Sequence, residues 1–189
     1  LRVLIMRARA RRVARSSVLL ATLVLLASRA GAADITRDEA LVLAFPGATT
    51  RAEQVFLTAD QQKRAAESGG VAIGSALVAR YVATKEGQIV GRAYVDTNTV
   101  RTKKETLLIS LDAAGRVMRV DVTAFLEPAE YRAPDPWLRQ YKDRTLNPDL
   151  MVTKAMRPTA GATLTAHAVN TAVRRVLAID RVLQAGVAR

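Results

Sequence analysis

Three threonines surround a glycine and its alanine neighbours near the end of the chain, in the stretch TAGATLTA from Thr159 to Ala166. An apolar run studded with arginines follows directly. A helix that starts here presents free backbone N–H groups and a partial positive charge, a combination that suits a phosphate. Gly161 permits close backbone approach and Ala162 adds little bulk, while the hydroxyls of Thr159, Thr163 and Thr165 offer further donors. The same residues also make an ordinary helix start with Thr163 as its N-cap. A second Gly-Ala-Thr, Gly47 to Thr49, shows that the short string alone is not diagnostic. Both readings stand at this point.

Little else in the chain is equipped for chemistry. It contains no cysteine, which excludes disulfides, thiol catalysis and thiolate-held iron–sulfur clusters within it. The single histidine, His167, would have to carry any zinc site or Ser-His-Asp machine alone, and its place one turn into the last helix reads as structural. Glu127 and Glu130 resemble an acid–base pair, but no substrate pocket can be argued for them. Tyr131, Trp137 and Tyr141 offer flat surfaces that either stack on a planar ligand or plug one end of a sheet.

The elements that must position these groups are legible from pattern. Thr36 followed by Glu39 has capping-box spacing and opens a short helix that ends before Pro46-Gly47. LTADQQKRAAES predicts a second helix, stopped by Gly69-Gly70. GGVAIG beyond it lacks the spacing and the preceding strand of a dinucleotide fingerprint. Two hairpin-like pairs follow, ALVARYVAT with QIVGRAYVDT and ETLLISLD with RVMRVDVTAFL. They predict an antiparallel meander over about residues 77–125, one face of which is buried under helices. No strand–helix–strand alternation appears, so a doubly wound parallel sheet is disfavoured. The proline-rich segment after the sheet predicts a loop and a short helix around Trp137–Tyr141. Finally, Leu164–Ala185 carries Val169, Val173, Val176, Leu177 and Leu183 at helical spacing, opposite Arg174 and Arg181. The expected class is α+β, an antiparallel sheet packed against helices with a long C-terminal helix.

Charge distribution adds a location. The chain is +12, but seven of its arginines fall in residues 1–32, which hold no acid, leaving +5 for the rest. A basic head, the apolar stretch Val18–Ala27 and the small-residue site Ala30-Gly31-Ala32 read as a secretory signal peptide, with the mature chain starting at Ala33. An uncleaved membrane anchor is the other reading of this segment. The remaining residues 33–189 form one mildly basic domain with no clustered Lys/Arg face, which argues against nucleic acid. Export to a bacterial periplasm is expected.

With that setting, TAGATLTAHAV and the amphipathic helix after it resemble the FMN-binding domain family. Its members include the periplasmic flavin-carrying subunits of the Rnf and sodium-translocating NADH:quinone reductase complexes. FLEPAEY…PWLRQYKDR resembles the family's Glu-Thr-Pro segment and tryptophan-bearing stretch, with Glu127, Pro128 and Trp137 in the matching places. The similarity covers most of residues 70–185. It implies an exported electron-transfer protein with FMN esterified through its phosphate to Thr163 by a flavin transferase. Gly161, Ala162, Thr159, Thr165, Glu127 and Trp137 would lie around the cofactor, and membrane-associated redox proteins would be its partners. The chain departs from the family motif at Arg157, where an acidic residue is usual, and at Ala160, where a hydroxyl residue is usual. Non-covalent FMN, a flavin-free periplasmic binding or structural module of the same fold, and a small FMN-dependent reductase are the alternatives.

Overall fold

The structure, a computed structural model, describes residues 34–157, 159 and 161–187. The expected signal peptide, the start at Ala33 and the departure at Ala160 lie outside the described residues. The class is α+β: among the described residues, a five-stranded antiparallel sheet in sequential order with four α-helices.

Helix α1 (Arg37–Ala44) opens on the expected capping box, with the Glu39 N–H donating to Thr36 Oγ1 and the Thr36 N–H donating to Glu39 Oε2. Helix α2 (Ala59–Gly69) repeats the device with Thr58 and Gln61 and ends at Gly70. Strands β2 (Leu77–Lys85) and β3 (Gln88–Thr99) are joined by Glu86 and Gly87, both at positive φ, the turn whose twist matches a two-residue hairpin. Strands β4 (Lys104–Asp112) and β5 (Val117–Phe125) complete the predicted meander.

The fifth strand, β1 (Thr49–Phe56), carries no strand pattern in its sequence. It is an edge strand, largely exposed and polar, and pairs with β2 from Thr49↔Thr84 to Phe56↔Leu77. Its hydrogen-bonding partner, rather than side-chain burial, holds it in place. The second Gly-Ala-Thr therefore runs from a turn into a strand, not into a helix.

Both faces of the sheet are covered. On one, Leu107, Ile109 and Leu111 of β4 meet Val169, Val173 and Val176 of helix α4 (Thr163–Val187), the predicted long helix. Helix α2 lies beside α4 on this face. On the other face, Ala40, Leu41, Ala44 and Phe45 pack on Ala83, Ala93 and Leu108. Gly91 is obligatory there: a Cβ would stand 2.4 Å from the Leu111 carbonyl oxygen and 2.4 Å from Phe45 Cε1.

Polar ties set the position of α4 on β3. Asp180, buried in mid-helix, accepts from Arg92 Nε at 2.6 Å and from the Tyr94 hydroxyl at 2.7 Å. One and a half turns earlier, Arg175 Nη1 donates to both oxygens of Asp96 at 2.8 Å. A long connection returns from β5 to α4 and includes the short helix α3 (Asp135–Leu138), continued by a 3-10 turn over Arg139–Tyr141. It places Trp137, Leu138, Tyr141, Leu150 and Met156 in the main core.

Candidate functional site

The motif stretch lies where that connection enters α4. Gly161 sits at φ +78° with open space where a Cβ would be, so the chain turns there in a conformation that glycine adopts without strain. The Ala166 N–H donates to the Ala162 carbonyl at 2.9 Å, which puts the buried Ala162 in the cap position and Thr163 first in the helix. Thr163 is therefore not the N-cap. Ala162 has no side-chain oxygen, and no side chain among the described residues accepts from the N–H groups of Thr163, Leu164 or Thr165. The two helices with capping boxes, α1 and α2, make the contrast. Thr163 itself is exposed, and its hydroxyl has only a long contact, 3.4 Å, to the Thr159 carbonyl.

Beside this helix start lies a groove of about 970 Å³. Its walls are α4 from Leu164 to Ile179, the loop before β2, the start of β2 and the second half of β3. Leu164, His167 and Thr171 project from α4, facing Leu77 and Asn98. That volume lies at the upper end of what a bound cofactor or drug-sized ligand occupies. Leu164 and Leu77, both well exposed, supply apolar surface on opposite walls, and His167 supplies a polar group. A second cavity, about 670 Å³, runs along β5 on the α1 side; no residue of α4 or of the motif stretch lines it.

The other expected site residues are committed elsewhere. Thr165, 1% exposed, donates its hydroxyl to the Tyr131 carbonyl and so fastens the first turn of α4 to the connection. Glu127 Oε1 accepts backbone N–H groups from Arg101, Thr102 and Lys103, the last at 2.8 Å. These N–H donors, those of Thr102 and Lys103 foremost, hold its carboxyl below the usual carboxylate range. It organises the β3–β4 turn, and that turn carries Arg101, whose guanidinium stands 4.5 Å over the Tyr131 ring. Trp137 is a plug: 7% exposed, its indole N–H donates to the Arg157 carbonyl and its ring meets Tyr141 edge-on at 5.6 Å. The structure thus brings Thr159, Gly161, Ala162 and Thr163 together at the helix start, with Thr165 just behind. It does not turn Thr165, Glu127 or Trp137 toward the groove.

Two polar residues that the sequence reading passed over pair across β3 and β4 near the groove. Asn98 lines the groove, and Glu105 is its cross-strand partner on β4, fully buried. Burial raises the Glu105 carboxyl to about 7, against the opposing pull of Arg132 and of the nearby Asn98 amide. That amide is close enough to be felt, yet neither side chain completes a hydrogen bond of normal geometry. In sequence, Glu105 opens an alternating strand pattern, where an acidic residue ordinarily faces solvent. The fold buries it within reach of Arg132 of the connection, Asp34 of the N-terminal segment, and Asp96 and Asn98 of β3.

Comparison with protein families, with characterised proteins and with solved structures finds no match for this chain.

Proposed function

We propose that this protein is an FMN-carrying electron-transfer protein, with the cofactor phosphate at the start of α4 and its ring system in the adjoining groove. The carrying observation is one juxtaposition: the exposed, nearly unengaged Thr163 hydroxyl, at a helix start that no side chain among the described residues caps, is followed directly by Leu164, which lines a groove of about 970 Å³. The residues fit the group at its phosphate end. Thr163 Oγ1 is free to form a phosphoester, the open space at Gly161 admits the phosphate, and the first-turn N–H groups neutralise part of its charge. Thr165 contributes by holding that turn against Tyr131, not by touching phosphate.

FMN, when bound, supplies the redox chemistry, and the chain needs no nucleophile or acid–base pair of its own. Its side chains orient and shield: Leu77 and Leu164 offer apolar walls to a flat ring, while His167 offers a polar contact. Membrane-associated redox proteins are the partners this reading implies, a flavin transferase is the loading enzyme, and the periplasm is the location. Among the described residues, no helix is long and apolar enough to cross a membrane.

The test is to co-produce the full chain with a flavin transferase in an exporting host and to denature it. Flavin absorbance should stay with the polypeptide and be lost in Thr163→Ala. A chain that stays colourless refutes the flavin reading and favours a flavin-free binding module built around the same groove. Flavin released on denaturation refutes only the covalent bond.

A further inference from the structure

Strand β5 is the last strand of the sheet, and its outer edge is only partly covered. At one end the Val117 N–H donates to the Arg144 carbonyl, and the Asp143 N–H donates to the Val117 carbonyl. At the other end the Phe125 N–H donates to Asp34 Oδ2 at 3.0 Å. Between these anchors no strand of the described residues pairs with the outer edge. The second cavity, about 670 Å³, lies along this open stretch. Val120 and Val122 line it although their side chains are buried in the main core, so what they offer a ligand is main chain. Ile35 and Leu43, with Leu138 and Arg139 of the connection, help to wall it. Unpaired backbone groups along a sheet edge are a template for one further strand.

The side chains at this edge carry a charge order. Arg119 Nε and Nη2 donate to the two oxygens of Asp121 at 2.8 and 2.6 Å, so the pair stands side by side on one face of β5. Register shifts after Val117 and after Val122 confine regular pairing with β4 to Arg119–Val122. Opposite charges directly across two strands attract, and like charges repel. In an antiparallel partner, the residue across from Asp121 comes two positions before the residue across from Arg119. The favoured order, read from the partner's N-terminus, is basic-x-acidic. We propose that β5 binds an extended peptide in this cavity by antiparallel strand addition, with a basic residue opposite Asp121 and an acidic one opposite Arg119. Main-chain hydrogen bonds supply the affinity, and the charge order supplies the selectivity. A second copy of the chain carries the same order in Arg119-Val120-Asp121, but its own β5 is set between the same walls, whereas a peptide is slim enough to enter. No residue lines both this cavity and the α4 groove, and the site does not depend on the flavin reading.

The test is an amide NMR titration of the isotope-labelled full chain with two end-blocked synthetic peptides, Thr-Val-Lys-Val-Glu-Val-Thr and the charge-swapped Thr-Val-Glu-Val-Lys-Val-Thr. The first should shift the backbone amides between Met118 and Ala124, slow their hydrogen exchange, and bind severalfold more tightly than the second. The double variant Arg119→Asp with Asp121→Arg keeps the ion pair and should invert that preference. Peptides that leave the β5 amides unmoved overturn the proposal. So do two peptides that bind the wild type equally, or a preference that the double variant does not invert. A doubled mass by light scattering, with β5 amides that neither peptide moves, makes a second copy the occupant and overturns the peptide assignment.

Discussion

Glu105→Gln should stabilise the protein in alkaline buffer and leave its acid stability nearly unchanged. In the unfolded chain the carboxyl titrates at its ordinary 4.5; buried in the fold it titrates at about 7. Between those values the folded state holds a proton that the unfolded state has released. Stability contributed by this group is therefore complete below about 4.5 and is lost as pH rises through 7. A gap of about 2.5 pH units, at about 1.4 kcal/mol each, corresponds to about 3 kcal/mol lost on the alkaline side. Glutamine keeps the shape of the neutral acid and carries no proton to lose. Urea unfolding of both proteins at about pH 4.5 and about pH 8.5 is the assay. The variant should match the wild type in acid and exceed it by about 3 kcal/mol in base. A difference between the two that does not change with pH would refute the reasoning, because desolvation of Glu105 would then not govern its ionisation. So would a wild type that is the more stable partner at pH about 8.5.

Two further substitutions probe how α4 and α1 are held. Asp180→Ala leaves Arg92 buried without its partner and should destabilise by about 3–5 kcal/mol in chemical unfolding. Asp180→Asn, which keeps an acceptor for the Tyr94 hydroxyl, should cost less than the alanine. Gly91→Ala drives a methyl into the Leu111 carbonyl and the Phe45 ring and should cost about 1–3 kcal/mol by thermal unfolding. A near-neutral result there would mean that α1 is seated loosely on the sheet.

Much of this architecture was legible because local signals and burial agree. The Thr36–Glu39 box, the Glu86-Gly87 hairpin and the valine stripe of α4 each state their own geometry, and the fold honours all three. Strand β1 was not legible: Arg51, Glu53 and Gln54 suit an exposed edge, and only the hydrogen bonds offered by β2 make them a strand. The candidate site divides in the same way. The start of α4 was visible to within one residue, since it depends on neighbouring positions in the chain. The roles of Thr165, Glu127 and Trp137 depend on partners 20 or more residues away, and no spacing rule announces a hydroxyl aimed at the Tyr131 carbonyl. Asp180 and Glu105 were hidden for a related reason. Charge in a sequence suggests a solvated face, and whether an arginine or a folded-back segment covers it is decided by tertiary structure.

The account's central claim is that Thr163 carries the flavin, and peptide mapping by mass spectrometry tests it most directly. Full chain co-produced with a flavin transferase is digested, and the peptides holding Thr163 and Thr49 are compared. The FMN adduct should appear on the Thr163 peptide alone and disappear in Thr163→Ala. Thr49 should stay unmodified, because it opens an edge strand and offers no helix start to a phosphate. An adduct on Thr49, on Thr165, or on no peptide at all would contradict the account.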